Sequence, residues 1–171
     1  MKRVAIIGSG GAGKTTMARA MSEHTGLPVV HLDKPYWKPG WTPTPHDVWQ
    51  QHHHQLLAQD SWIIDGNYGA TMELRLSAAD TVIFLDTPRL LCLWRVLKRS
   101  LERRFSSRQA TDVPEGCPER LTHEFLRWIW NYPKSRRPAL LQKLSSLKGK
   151  RVVRLRSRRE VATFLRGCRT R

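Results

Sequence analysis

The sequence has no apolar run near the roughly 20 residues that a transmembrane helix needs. Its first apolar stretch, Val4–Ile7, ends at glycines and is too short for the core of a signal peptide. We therefore expect neither a membrane span nor a secretory leader.

Cysteine is also scarce. The chain has three, Cys92, Cys117 and Cys168, which are odd in number and widely spaced. That spacing fits neither a zinc site nor a disulfide framework. Reduced thiols are typical of the cytoplasm, so we expect a cytoplasmic protein.

Acidic residues are few in the second half of the chain. Residues 1–90 carry eight basic and eight acidic side chains, whereas residues 91–171 carry 22 basic and six acidic ones. The whole net charge of +16 therefore lies in the second half. Such asymmetry predicts an anionic partner, either nucleotide phosphates, a polynucleotide or an acidic surface. A solvated basic face that only aids solubility is the alternative.

Short apolar runs alternate with helical patterns along the chain. This alternation is typical of an α/β domain with a parallel sheet. The length of 171 residues suits one domain with its own core. The five predicted strands are Val4–Ile7, Val29–Leu32, Trp62–Ile64, Thr81–Leu85 and Val152–Leu155.

A glycine-rich stretch follows the first predicted strand. Residues 8–15 read GSGGAGKT and fit the pattern G-x-x-x-x-G-K-[ST]. Glycines let backbone N–H groups turn inward around phosphate oxygens, and the start of the next helix adds partial positive charge. We predict a nucleotide phosphate site formed by Gly8, Ser9, Gly10, Gly11, Ala12, Gly13, Lys14, Thr15 and Thr16.

Three side chains of this stretch have predicted roles. Lys14 would reach the β- and γ-phosphates and act in catalysis, the Thr15 hydroxyl would ligate Mg²⁺, and Thr16 would contact the α-phosphate. ATP and Mg²⁺ are therefore the expected cofactors.

Three acids end three predicted strands: Asp33, Asp65 and Asp86. Ligands of an open parallel sheet bind beyond the carboxyl ends of its strands. Asp65 follows an apolar strand and is predicted to coordinate Mg²⁺ through water, with a simple Asp-Gly turn as the alternative. Asp86 precedes Thr87-Pro88, which favours a helix start there.

The helix predicted from Pro88 to about Arg104 carries two stripes. Leu90, Trp94, Leu97 and Leu101 have the spacing of a core-facing side. Arg95, Arg99 and Arg103 form a stripe of like charge, which an anion would stabilise. We expect some of Arg95, Arg99, Arg103 and Arg104 to clamp phosphate, with Arg95 and Arg99 as the candidate catalytic residues, and a solvated face is the alternative.

Two further stretches have local signals. Residues 33–44 form a predicted loop rich in Pro, Gly and Trp, after which Thr44 is the expected N-cap of a helix that runs to about Gln59. Phe125, Trp128 and Ile129 are expected to pack an amphipathic helix onto the sheet, and base stacking by its aromatic residues is the alternative.

Together, the glycine-rich motif, Asp65-Gly66, the segment VIFLDTP and the arginines after it resemble the adenylate-kinase-like nucleoside and nucleotide kinases. The segments HLDKPYWKPGW and WIIDGNYGATMELRLSAADTVIFLD are more similar still to small bacterial topology-modulation proteins, or adenylate-kinase-related kinases.

This resemblance implies a P-loop NTPase three-layer sandwich with a five-stranded parallel sheet in the order 2-3-1-4-5. Residues 1–171 would form one domain, with an Arg-rich lid insertion at about 104–137. The γ-phosphoryl group of Mg-ATP would pass to a nucleoside, a nucleotide or another small hydroxyl compound.

The acceptor side departs from true adenylate kinases. Those carry Asp-Gly-Phe-Pro-Arg, whereas this chain has Asp-Gly-Asn-Tyr-Gly at 65–69, with no arginine in that place. A carboxylate at Asp33 suits a hydroxyl better than a phosphate, so we expect Asp33 to position and activate the acceptor. Tyr36, Trp37 and Trp41 would wall its ring, and simple packing of the Pro-rich loop is the alternative.

A second hypothesis is a nucleic-acid-binding protein with a regulatory or vestigial nucleotide site. It rests on the basic second half of the chain, and the topology-modulation resemblance implies a link to DNA.

Overall fold

The structure is a computed structural model that describes residues 1–104, 116–117 and 121–168, without the side chains of residues 103 and 104. It has an α/β architecture in which one parallel sheet is covered by helices on both faces. This confirms the predicted fold class.

The main sheet is built from five parallel strands in the order β2-β5-β1-β6-β7. Two-residue strands β3 and β4 form a separate antiparallel hairpin, and without them the order is the predicted 2-3-1-4-5. The strands are β1 Arg3–Gly8, β2 Val29–His31, β3 Trp37–Lys38, β4 Thr42–Pro43, β5 Trp62–Asp65, β6 Thr81–Leu85 and β7 Arg151–Leu155.

Within the described residues, eight α-helices connect and follow these strands. They are α1 Lys14–Thr25, α2 Asp33–Tyr36, α3 His46–Leu57, α4 Met72–Ala78, α5 Arg89–Arg104, α6 His123–Ser135, α7 Arg137–Ser145 and α8 Arg158–Arg166. None of the helices in the described part of the chain is long and apolar enough to cross a membrane.

The strands alternate their side chains between two apolar layers. On one face, Ile6 and Ile83 pack with residues of α1, α5 and α6, among them Met21. On the other face, Ile64 and Phe84 pack with residues of α3, α4 and α7. Because both faces are covered, the central strands read as continuous apolar runs rather than alternating ones.

The prediction of the core side of α5 is wrong. Leu90, Trp94, Leu97 and Leu101 are 47–66% exposed, whereas Cys92 and Val96 are buried. Gly11 explains this rotation, because a Cβ there would lie 2.4 Å from the backbone oxygen of Cys92. The helix therefore packs its Cys92 side directly against the glycine-rich loop.

The segment after β2 is more ordered than a loop. Asp33–Tyr36 forms one helical turn, and the β3–β4 hairpin follows. Thr44 does not cap α3, because its hydroxyl donates to the carbonyls of Pro35 and Tyr36 at 3.0 and 2.7 Å. It therefore closes the 33–44 segment on itself rather than starting the next helix.

The lid predicted at about 104–137 is described only in part. Residues 105–115 and 118–120 lie outside the described residues, so the lid and its boundaries stay predictions. Of the rest, Gly116 and Cys117 contact the β3–β4 segment. The Gly116 carbonyl accepts from the Gly40 N–H at 2.9 Å, and the Cys117 thiol donates to the Lys38 carbonyl.

Asp86 joins the end of β6 to two later elements. Its carboxylate accepts hydrogen bonds from Arg137, at 2.8 and 3.1 Å, and from Arg154 of β7. Burial alone would raise the pKa of Asp86, but hydrogen bonds from the two guanidinium groups outweigh it and lower that pKa from 3.8. The carboxylate therefore links the end of β6 to β7 and α7. The sequence indicated only a helix start at Asp86 and did not predict this link.

We predict that Asp86→Asn lowers the free energy of unfolding by about 2 kcal/mol, since two guanidinium groups lose their charged partner and are themselves only partly buried. Thermal or urea unfolding at pH 7 measures this loss. Because folding lowers the pKa, the stabilisation is present above pH 3.8 and is lost as pH falls through the folded pKa.

The exposed Asp60→Asn is the matched control and should unfold like the wild type. Equal stability of the Asp86 and Asp60 variants at pH 7 would contradict the role assigned to Asp86.

Candidate functional site

The glycine-rich loop between β1 and α1 needs glycine at specific positions. Gly8, Gly11 and Gly13 all have positive φ, at 153°, 73° and 98°. A Cβ at Gly8 would lie 2.6 Å from the carbonyl oxygen of Leu85. The loop is thus wedged between β6 and α5, which fixes its backbone before any ligand binds.

Lys14, the first residue of α1, directs its side chain back onto this loop. Its ammonium donates to the carbonyls of Gly8 and Ser9, both at 3.0 Å. Burial lowers its pKa, while the carboxylates of Asp33 and Asp65 act in the opposite direction. The charges of two acids from different strand ends therefore act on the same ammonium group, and all three side chains line one pocket.

Asp65 at the end of β5 is bound from two sides. Its Oδ2 accepts from the Thr15 hydroxyl at 2.9 Å, and its Oδ1 lies 2.8 Å from Nδ1 of His31. Asp65 is 4% exposed. The structure therefore brings together Thr15 and Asp65, the two residues predicted to serve a metal.

The chemistry of this pair fits Mg²⁺, which prefers oxygen ligands and keeps several waters. Among the described residues, no cluster of three or more His, Cys, Asp or Glu side chains forms a metal cage. A hydroxyl and one carboxylate beside a phosphate-binding loop suit an ion that takes its other ligands from phosphate and water.

Asp33 is exposed and lies at the first turn after β2. Its Oδ1 accepts a 2.6 Å hydrogen bond from the Tyr68 hydroxyl. Burial and the neighbouring Asp33 carboxylate strongly raise the pKa of Tyr68, so the phenol keeps its proton and remains a donor. Tyr68 therefore orients Asp33 and leaves Oδ2 without a hydrogen bond from the described residues.

Asn67 links the turn after β5 to the phosphate loop. Its side-chain oxygen accepts from the Gly8 N–H at 3.1 Å, and its amide nitrogen donates to the Gly8 carbonyl. Arg75 stabilises the same turn by donating to the carbonyls of Gly66 and Tyr68 at 2.8 and 2.9 Å. Arg75 is fully buried, so it braces the turn rather than binding a ligand.

The candidate arginines of α5 lie on the loop side of the helix. Arg95 donates to the carbonyls of Gly11 and Ala12 at 3.3 and 3.1 Å. Arg99 lines a pocket that Lys14, Asp33 and Asp65 also line. Its charge lowers the pKa of Lys14, after the larger effect of burial. The side chains of Arg103 and Arg104 lie outside the described residues.

These groups surround one pocket of about 560 Å³. Its polar lining includes the glycine-rich loop, Asp33, Asp65 and Asn67, and its aromatic lining consists of Trp37, Tyr68, Phe125 and Trp128. Trp37 is the only one of the three predicted ring-wall residues along it, since Tyr36 packs on Trp49 and Tyr68, and Trp41 packs on Trp37.

A second pocket of about 440 Å³ begins on the other side of the loop. It shares Gly13, Thr16 and Arg95 with the first pocket and is otherwise largely apolar, with Leu91 and Val161 on its walls. Ser157 is among its lining residues and caps α8 by accepting from the Glu160 N–H at 3.2 Å.

The structure adds residues that sequence reasoning did not select. These are His31, Asn67 and Tyr68, which contact predicted site residues. Phe125 and Trp128, for which the sequence predicts packing with ring stacking as the alternative, line the pocket as well as packing on the core. A signal was present for two of them, since His31 ends a strand beside Asp33 and Asn67 directly follows Asp65-Gly66. Nothing local indicates that Tyr68 reaches Asp33.

No family model matches the chain, and a search of curated proteins finds no match. Among solved structures, it is similar to a shikimate kinase from Acinetobacter baumannii in complex with shikimate, with TM-score 0.59 and 13% identity over 98% of this chain and 90% of that one. A shikimate kinase from Aquifex aeolicus vf5 gives 0.57 and 15% over 96% and 92%. A gluconokinase from Sinorhizobium meliloti 1021 gives 0.55 and 15% over 98% and 89%.

These similarities show that the chain has the fold of P-loop small-molecule kinases. They do not test the resemblance to the adenylate-kinase-related and topology-modulation proteins, so that resemblance stays a prediction. The roles of the individual site residues stay predictions too.

We predict that Gly11→Ala abolishes nucleotide binding, because its φ is +73° and the new Cβ would meet the Cys92 backbone oxygen at 2.4 Å. The measurement is displacement of a fluorescent ATP analogue. Gly26→Ala is the matched control, since φ there is +71° but nothing lies within 4 Å. It should lose about 1 kcal/mol of stability and bind normally. Equal nucleotide affinity in both variants would contradict the fit of the loop.

Proposed function

We propose that the protein is an ATP-dependent phosphotransferase that passes the γ-phosphoryl group to a hydroxyl of a small ring-containing acceptor. The observation that carries this proposal is the meeting of Lys14, Asp65 and Asp33 at one pocket. A phosphate-binding cation, a carboxylate suited to a metal and a carboxylate suited to a hydroxyl are the parts that phosphoryl transfer to an alcohol requires.

In this proposal the phosphates lie in the loop of residues 8–16, where backbone N–H groups and the start of α1 face them. Lys14 would exchange its carbonyl partners for the β- and γ-phosphates. The apolar pocket of about 440 Å³ shares Thr16 and Arg95 with the phosphate pocket, which suits the base of the nucleotide.

Thr15 and Asp65 would hold Mg²⁺, which in such sites neutralises charge on the β- and γ-phosphates. Thr15 offers its hydroxyl oxygen as a direct ligand, and Asp65 would act through water. The existing hydrogen bond between them can persist. The Thr15 O–H group donates this hydrogen bond to Asp65, and the lone pairs of the hydroxyl oxygen stay available for Mg²⁺.

The acceptor would lie between Trp37 and the aromatic side chains of α6, Phe125 and Trp128. Asp33 accepts the proton of its hydroxyl as the oxygen bonds to the γ-phosphorus. The bond from that phosphorus to the bridging oxygen breaks, and ADP leaves. A phosphate in place of the hydroxyl would be repelled by the Asp33 carboxylate, which argues against AMP as the acceptor.

Arg95 and Arg99 would stabilise charge on the transferred group from the side of α5. Arg99 is exposed and lines the pocket. Arg95 already holds two loop carbonyls, so its first effect would be on the shape of the loop.

The nucleic-acid hypothesis gains nothing from the comparisons. Two arginines of the basic half, Arg137 and Arg154, already pair with Asp86.

The test of the function is ADP release over a panel of polyols, sugars, hydroxy acids, nucleosides and nucleotides. At least one hydroxyl acceptor should raise the rate, and Lys14→Ala should lower that rate by about 10²–10³-fold, since it removes one preorganised donor to the phosphates. Acceptor-independent ADP release equal to that of Lys14→Ala across the panel would overturn the proposal.

We predict that Asp33→Asn lowers turnover about 100-fold or more while ATP affinity stays within about twofold, because the amide still accepts a hydrogen bond but takes no proton. Turnover with the identified acceptor and displacement of a fluorescent ATP analogue measure the two effects. The exposed Asp47→Asn is the control. Loss of Mg-ATP binding in Asp33→Asn would instead assign Asp33 to the metal.

A further inference from the structure

We propose that His31 is a positioning residue that sets how tightly the site holds Mg²⁺ by fixing the Asp65 carboxylate. This inference rests on the proposed function, because it concerns the metal of the ATP complex. His31 itself would touch neither the metal nor the nucleotide in this proposal.

The backbone brings the two side chains together. His31 and Asp65 are register partners in the neighbouring parallel strands β2 and β5, so their side chains leave the sheet side by side. The Leu32 N–H also donates to the Asp65 carbonyl at 3.1 Å, which fixes the end of β2 to the end of β5.

The hydrogen bond has one possible direction. The Asp65 carboxylate only accepts, so Nδ1 of His31, 2.8 Å from Oδ1, carries the proton and donates. The two side chains are 15% and 5% exposed, so little water competes for this contact. The neutral imidazole is sufficient for this role.

Asp65 is thereby held at both oxygens. The Thr15 hydroxyl of α1 donates to Oδ2 at 2.9 Å. Nδ1 of His31, on the neighbouring strand β2, donates to Oδ1 at 2.8 Å. With both contacts in place, the carboxylate cannot rotate about its last bond without breaking one of them. The Asp65 oxygen that would bind a water of the Mg²⁺ ion is therefore already oriented beside Thr15.

Removal of the imidazole would leave this rotation free. Partners of this kind, which orient a metal-binding group without touching the metal, typically change metal affinity by 10–100-fold. Since the phosphate loop is untouched, the loss should fall on Mg²⁺ rather than on ATP itself. A purely structural tie between β2 and β5 would instead lower stability and leave the Mg²⁺ requirement unchanged.

The experiment compares the wild type with His31→Ala, His31→Asn and His31→Gln, and with the exposed His54→Ala as the control. Displacement of a fluorescent ATP analogue by ATP gives the affinity across a series of free Mg²⁺ concentrations and in EDTA. Thermal unfolding of the same samples gives stability. The asparagine amide can donate from nearly the position of Nδ1, whereas glutamine extends one bond too far.

We expect His31→Ala to raise the half-saturating Mg²⁺ concentration by about 10–100-fold. Its ATP affinity in EDTA should stay within about twofold of the wild type. His31→Asn should restore most of the Mg²⁺ response, and His54→Ala should match the wild type. If the alanine variant does not fold, a higher half-saturating concentration for glutamine than for asparagine carries the same conclusion.

A folded His31→Ala variant with the wild-type Mg²⁺ response would overturn the inference and leave the proposed function standing. The same holds for a wild type whose ATP affinity does not depend on Mg²⁺, or for equal responses of the asparagine and glutamine variants. Failure of the wild type to bind ATP at any Mg²⁺ concentration would overturn the proposed function itself.

Discussion

A buried arginine sets the geometry on which the whole candidate site depends. Arg75 is fully buried, and burial lowers its pKa to about 10, so it is still charged at neutral pH. Its guanidinium group holds the carbonyls of Gly66 and Tyr68, and those bonds offset part of the cost of burying the charge. The short turn after β5 therefore has one fixed path across the edge of the sheet.

The last residue of β5 and two residues of that turn reach different parts of the site. Asp65 contacts Thr15 and His31, Asn67 grips the backbone of Gly8, and Tyr68 orients Asp33. The phosphate loop and the acceptor side thus share one brace. A shift of the turn would move the Asp65 carboxylate, the start of the glycine-rich loop and the Asp33 carboxylate together.

The sequence predicts the parts that depend on local chemistry. The phosphate loop and the five strands follow from glycine spacing and apolar runs, and Asp65 follows from the rule that strands end at the ligand edge. The failures depend on distant partners. Because Gly11 has no side chain, the Cys92 side of α5 packs against the glycine-rich loop, and Leu90 and Trp94 stay exposed. Helical periodicity alone does not show this. Tyr68 meets Asp33 across 35 positions of the chain, where no local pattern connects them.

The most direct test of the account is a crystal structure with Mg²⁺ and a non-hydrolysable ATP analogue. We expect the β- and γ-phosphates against Lys14, the ion between them and Thr15, with Asp65 one water away, and the γ-phosphate facing the space beside Asp33. A γ-phosphate that points away from Asp33, or phosphates bound outside the loop of residues 8–16, would contradict it.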